Sequence, residues 1–139
     1  MASALTASAC KPPPVHCKIT TYKYDYQTKL GPFTKTWFTL YNEMRFCYNG
    51  YTVTSITAGY TDNRTSVPTP PYTRDGVDST TRLESYLSDR NRKRAYNSSR
   101  HAIGCVKIIN GFDITLNQRG YPDGSVQKWH STPNAATDC

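Results

Sequence analysis

The stretch Glu43-Met44-Arg45-Phe46-Cys47-Tyr48-Asn49-Gly50-Tyr51-Thr52-Val53-Thr54 constrains the fold more than any other. Asn49-Gly50 stands between two runs of strand-forming residues, the strongest short-range signal of a β-hairpin, because a type I′ turn needs positive φ at both central positions. Upstream of it the side chains alternate. Phe38, Leu40, Met44, Phe46 and Tyr48 share one parity, broken only by Asn42, and Thr39, Tyr41, Glu43 and Arg45 share the other. That period of two marks a strand with one buried and one wet face. Thr34 to Tyr48 is long for a single strand, so a bulge or break is expected near Tyr41-Asn42.

Strand and turn signals fill most of the remaining chain. Cys17 to Tyr26 reads as a first strand with Tyr22, Tyr24 and Tyr26 on one face, and Lys29-Leu30-Gly31-Pro32 as the turn after it. Tyr51 to Tyr60 is the returning strand, and Thr61 to Gly76, with Pro68, Pro70 and Pro71, a loop. Arg82 to Tyr96 is the one helical candidate, since Leu83, Tyr86, Leu87 and Arg90 fall at i, i+3, i+4 and i+7. Its apolar stripe is thin, so it predicts a short helical turn at most. Ile103 to Ile109 turns at Asn110-Gly111 into Phe112 to Leu116, and Asp123-Gly124 leads into Ser125 to His130. The chain therefore predicts an all-β fold: an antiparallel β-sandwich of about seven or eight strands, disulfide-stabilised, with at most one short helix.

Five cysteines, at 10, 17, 47, 105 and 139, show neither a CxxC pair nor zinc spacing. Spread through a short, turn-rich chain, they read as structural disulfides in an oxidising compartment. Cys47 and Cys105 each lie on a strand leading into an Asn-Gly turn and are paired on that basis. Cys10 and Cys17 bracket a small ring, and Cys139 is left as a free thiol or an intermolecular link. Residues 1–9 end in Ala7-Ser8-Ala9, the A-x-A form of a signal-peptidase site, and read as the remnant of a leader. Residues 10–16 form an arm that Pro12, Pro13 and Pro14 hold extended. The domain proper is then 17–139, and a chain of 139 residues is long enough to bury a core without metal. No run of 18 apolar residues is there to span a membrane; the spread cysteines and the leader remnant make the expected location extracellular.

Phe46-Cys47-Tyr48-Asn49-Gly50, followed by Val53-Thr54-Ser55, the Cys105 strand, Ile114-Thr115-Leu116 and Asp123-Gly124-Ser125, resembles a group of small secreted proteins of actinobacteria. Members share an aromatic-Cys-x-(Asn/Asp)-Gly hairpin, a second cysteine and a terminal strand with a Gly turn; Phe46 stands here where Trp is expected. The resemblance covers about two-thirds of the chain. It implies secretion and a β-sandwich, and no established chemistry.

Catalytic and cofactor signatures are missing. There is no Gly-rich phosphate loop, nucleophile elbow or His-Glu-x-x-His, and Asp62, Asn63, Asp75 and Asp78 are too sparse for a calcium loop. No metal or cofactor is expected. A ribonuclease-like site would draw on His101 and His130, with Glu43 or Glu84 and the arginines at 92, 94 and 100; the plain alternative is two surface histidines. His16, in the arm, is a poor candidate. The net charge of +7 permits an anionic polymer or nucleic acid as partner. Arg90 to Arg94 is the one dense positive run; Arg92, Lys93 and Arg94, with Tyr86 and Tyr96 beside them, are candidates to grip phosphates and stack bases. Asn63-Arg64-Thr65 and Asn97-Ser98-Ser99 are glycosylation sequons. With 11 tyrosines a carbohydrate-binding module is a third option, though Tyr also serves as ordinary sheet cover. The reading these features favour is a secreted, non-enzymatic module that binds a protein partner through its Pro-rich arm or a free sheet edge, as adaptor or accessory subunit of a larger assembly such as a toxin particle. The rival is a small basic secreted toxin, a ribonuclease or an antimicrobial protein.

Overall fold

The computed structural model describes residues 13–58, 63–106 and 111–131. Eight strands run in order: β1 (His16–Leu30), β2 (Phe33–Tyr48), β3 (Val53–Ala58), β4 (Arg64–Thr65), β5 (Tyr72–Tyr86), β6 (Asp89–Cys105), β7 (Phe112–Gly120) and β8 (Val126–Ser131). They make two antiparallel four-stranded sheets. In the first, β2 is flanked by β1 on one side and by β3 and β4 on the other; the second is the meander β5-β6-β7-β8. The all-β sandwich is therefore present, and no helix forms among the described residues.

Strand β2 carries the core of the first sheet. Phe38, Leu40, Asn42, Met44 and Phe46 are all 0–2% exposed, as their shared parity requires. The irregularity lies elsewhere than expected. Pairing with β1 runs unbroken through Tyr22↔Asn42 and slips only between Tyr26 and Gln27, where Trp37 is the extra residue. Asn42 does not break the strand because its side chain finds partners inside. On the facing sheet, Ala95, Ile103, Phe112, Ile114 and Leu116 complete the apolar interior. Packing is close enough that Gly120 must lack a side chain: a Cβ there would fall within 2.7 Å of three atoms of the Phe46 ring.

Arg82 to Tyr96 folds as the end of β5, a Leu87-Ser88 turn and the start of β6, not as a helical turn. Its leucines at helical spacing offered a helix only a thin apolar stripe, whereas as a hairpin it joins a ladder that continues to Tyr72↔Cys105. Leu87 takes the turn at φ +60°. The expected Thr61 to Gly76 loop is shorter than predicted, since β4 and the start of β5 lie within it.

The Asn49-Gly50 hairpin exists, but its connection is four residues, with Tyr48 opposite Val53. Gly50 alone is left-handed there, at φ +87°. Asn49 Oδ1 accepts from the N–H groups of Tyr51 and Thr52, each at 2.9 Å, so the asparagine organises the turn through its side chain. Gly50 N–H donates to the Pro122 carbonyl in the β7–β8 turn (2.8 Å), tying the two sheets at this end. Asp123-Gly124 forms its turn as read, with Gly124 at φ +87°. Asn110 lies outside the described residues.

The cysteine pairing is corrected. Cys17 and Cys47 face each other across β1 and β2 and are bonded. Cys47 therefore does not pair with Cys105, nor Cys17 with Cys10. Geometry explains why: Cys105 sits opposite Tyr72, whose ring packs on Trp37. Trp37 is ten residues from Cys47 along β2, roughly 30 Å. Cys105 is disulfide-bonded too, to a partner outside the described residues. Of the arm, Pro13 and Pro14 are exposed and precede β1, while Cys10 and Pro12 lie outside the described residues, as does Cys139.

The Cys17–Cys47 bond closes a loop with a sequence separation of 30. In the chain-entropy account such a loop contributes about 3.5 kcal/mol. Replacing both cysteines by Ser should lower the unfolding free energy by roughly that amount in urea titrations while β-sheet circular dichroism persists at 25 °C.

Candidate functional site

The interior holds one of the two predicted histidines, His101. A layer of polar side chains crosses the core between two apolar clusters, one around Phe38, Leu40 and Ile114, the other around Met44, Phe46 and Ala95. Asn42 stands at its centre. Its amide nitrogen donates to Ser99 Oγ (2.9 Å), and its Oδ1 accepts from Asn97 Nδ2 (3.2 Å) and Gln118 Nε2 (2.8 Å). Gln118 Oε1 accepts from Thr20 Oγ1 at 2.9 Å. Ser99 Oγ lies 2.9 Å from His101 Nε2, and Thr65 Oγ1 lies 2.8 Å from His101 Nδ1.

Ser99, His101 and Thr65 thus have the contacts of a nucleophile-base-orienter chain, but all three are 0% exposed. A substrate cannot reach the serine, and the histidine is a core residue rather than a surface one. Burial holds its pKa down to about 4, so the ring is neutral. His130 is on β8, with β7 between it and the His101 strand. Its Nδ1 is 2.8 Å from the Tyr22 hydroxyl, and its ring packs 4.4 Å from that of Tyr24. The fold does not bring the two histidines to a common site. Asn97, the acceptor of one sequon, is fully buried and bonded in this layer, which closes it to glycosylation in the folded chain.

The positive run behaves differently. On β6 the residues alternate, so Ala95, Asn97, Ser99 and His101 point inward and Arg94, Tyr96, Ser98 and Arg100 outward. The outer face of the second sheet carries a ladder of cations and rings across all four strands. Arg82 of β5 lies 4.5 Å from the Tyr96 ring on β6, and Arg119 of β7 lies 5.7 Å from it on the other side. The same Arg119 guanidinium is 4.8 Å from the Trp129 ring on β8. The register sets this row: Arg82↔Tyr96 and Tyr96↔Arg119 are direct cross-strand pairs.

One carboxylate sits among these cations. Glu84 Oε1 accepts from Arg94 Nε (2.7 Å) and Arg119 Nε (2.9 Å), and its Oε2 is 3.6 Å from Arg82. Burial pushes the Glu84 carboxyl up, but the hydrogen bonds and charges of Arg94 and Arg119 outweigh that and hold it below its ordinary value. Three guanidiniums thus share one carboxylate, leaving a local surplus of two positive charges.

The ladder runs on to the end of the sandwich where the β2–β3, β5–β6 and β7–β8 turns meet. A cleft of about 190 Å³ there is lined by Tyr86, Arg92, Tyr121 and Asp123 among others. Arg92 lies 5.0 Å from the Tyr51 ring and 5.3 Å from that of Tyr86. Tyr51 donates to Asp89, a bond that raises the phenol and lowers the carboxyl.

Of the predicted binding residues, Arg92, Arg94 and Tyr96 are therefore on one surface. Lys93 faces the other way, its N–H donating to Thr52 Oγ1 (2.7 Å) and its Nζ 3.5 Å from Ser85. Pro13 and Pro14 lead into the first sheet instead. Sequence reasoning missed Arg82, Arg119 and Trp129 as members. The signal was the alternation Arg92, Arg94, Tyr96, Arg100, hidden while the segment was read at helical period. Among the described residues no three His, Cys, Asp or Glu side chains are placed to hold a metal, and no helix is long and apolar enough to cross a membrane.

Asn42→Ala removes three buried hydrogen bonds and leaves a void, at a cost of about 3 kcal/mol in urea titrations, against near zero for exposed Asn91→Ala. His101 gives a pH dependence. Its pKa is about 4 folded and 6.5 unfolded, so the unfolded chain binds the extra proton between those values. Its contribution is fully present above pH 6.5 and is lost as pH falls towards 4, about 3 kcal/mol in all. An NMR titration of the folded protein should show the His101 ring unprotonated at pH 5. No protein family, curated protein or solved structure that was compared matches the chain, so its role rests on its own chemistry.

Proposed function

We propose that this chain is an extracellular, non-enzymatic binding module that engages an acidic partner through the outer face of its second sheet, as adaptor or accessory subunit of a larger assembly. One observation carries the reading: Arg82, Arg94 and Arg119 are held around the single carboxylate of Glu84 on a solvent-facing sheet. Guanidiniums stay charged and present donors in a planar fork that matches carboxylate, sulfate or phosphate. Stacking on Tyr96 and Trp129 fixes Arg82 and Arg119 before a ligand arrives, which reduces the ordering cost of binding. The Cys17–Cys47 disulfide is compatible with an extracellular location.

The rival ribonuclease reading rested on His101 and His130. Enclosure of His101 removes it as a proton donor to an external substrate. Sugar stacking on Tyr96 is disfavoured as well, because guanidiniums approach its ring from both neighbouring strands.

Retention on immobilised heparin, a polysulfated probe, tests the face. Arg82→Ala/Arg119→Ala should weaken binding by about tenfold, and Lys23→Ala/Lys29→Ala, with the same loss of charge from the first sheet, by much less. Equal weakening by both pairs would reduce the effect to net charge and sink the reading. For the adaptor part, elution of the native protein as a single free chain in gel filtration would count against it.

A further inference from the structure

We propose that the tip of the β1–β2 hairpin docks onto an anionic lipid surface. The hairpin keeps its register to the last pair, Leu30↔Phe33, and closes through Gly31-Pro32 with Gly31 at φ +64°. This is a two-residue connection between paired strands, a stiff projection rather than a slack loop. At its base the inward row is covered: Tyr26 stacks 4.8 Å from Phe38, and both contact Tyr72 and Phe112 of the second sheet. Past the bulge that row continues as Thr28/Lys35 and then Leu30/Phe33, and the cover ends. Every residue from Lys29 to Thr34 is exposed, with Phe33 at 73% and Leu30 at 55%.

Charge is layered behind this apolar end. Lys29 pairs with Thr34 and Lys35 with Thr28, directly behind Leu30 and Phe33. Residues 26–42 contain no Asp or Glu, and Lys23 adds a further cation towards the base. Behind the lysines is Trp37, with Lys35 Nζ 4.1 Å from its ring and its Nε1 donating to Thr28 Oγ1 (2.8 Å). Two residues of strand separate Phe33 from Lys35, roughly 7 Å. That step matches a bilayer, where apolar side chains enter the headgroup-acyl boundary to about 5–10 Å and lysines meet the phosphates. A two-residue apolar tip is too small for the roughly 800 Å² per side of a specific protein interface, but a lipid surface asks for no shape complement. This inference does not depend on the arginine face of the second sheet.

Flotation of the folded protein with vesicles tests it, using phosphatidylcholine alone and phosphatidylcholine with phosphatidylglycerol at about three to one. The expected result is flotation with the mixed vesicles only, weakened by added salt. Leu30→Ser/Phe33→Ser, and separately Lys29→Gln/Lys35→Gln, should each cut partitioning by about tenfold. Lys29, Leu30 and Phe33 are exposed and Lys35 is half-buried over the Trp37 ring, so near-wild-type circular dichroism is expected. Arg82→Ala/Arg119→Ala, which removes as much charge from the second sheet as Lys29→Gln/Lys35→Gln removes from the tip, should lose much less flotation than either tip pair. The proposal is overturned if wild type floats with neither vesicle, if either tip pair floats undiminished, or if only the arginine pair loses flotation.

Discussion

The amide of Asn42 sits at the centre of strand β2 with no exposed surface, and the two sheets meet around it. A buried amide without partners costs a few kcal/mol, so its position requires the others. Ser99 and Asn97 from β6 and Gln118 from β7 answer it, Gln118 reaches back to Thr20 on β1, and Ser99 passes the chain to His101 and Thr65. Each of these bonds spans the gap between sheets or runs along it. No buried side-chain nitrogen or oxygen among the described residues lacks a partner. Apolar contacts tolerate sliding of one sheet over another; this layer does not, because a shift of one residue would leave several amides unpaired at once.

That register governs both outer surfaces. With Asn97, Ser99 and His101 committed inward, Arg94, Tyr96 and Arg100 must point outward. Tyr96 then falls between Arg82 and Arg119, and Glu84 falls where it can hold three guanidiniums. The two ends of the sandwich differ in character. One gathers Tyr51, Tyr86, Arg92 and Tyr121 where three turns meet, the other extends Leu30 and Phe33 past the second sheet.

Local alternation made much of this legible. The parity of β2, the tyrosines of β1, the run Phe112, Ile114, Leu116 and the Asx-Gly turns all report on neighbours one or two residues away, and those interactions survive in a linear reading. Asn42 was visible as the one break in its row. A polar residue at a core position has no local explanation, so the linear pattern places a bulge or break there. Leu83, Tyr86 and Leu87 misled for a related reason: over five residues a helical spacing and a strand hairpin differ at too few positions to be told apart, and the ladder with β6 decides between them.

The sequence by itself determined an all-β chain, the faces of its central strand and a positive run beside tyrosines, since side-chain period and turn chemistry are local properties. Only the tertiary structure decided that Cys17 bonds Cys47, that His101 is enclosed and neutral, and that Arg82, Arg119 and Trp129 join Tyr96 in one ladder. These outcomes depend on which residues meet across strands that are remote in the chain. Strand register sets that, and register is chosen by the whole interior at once.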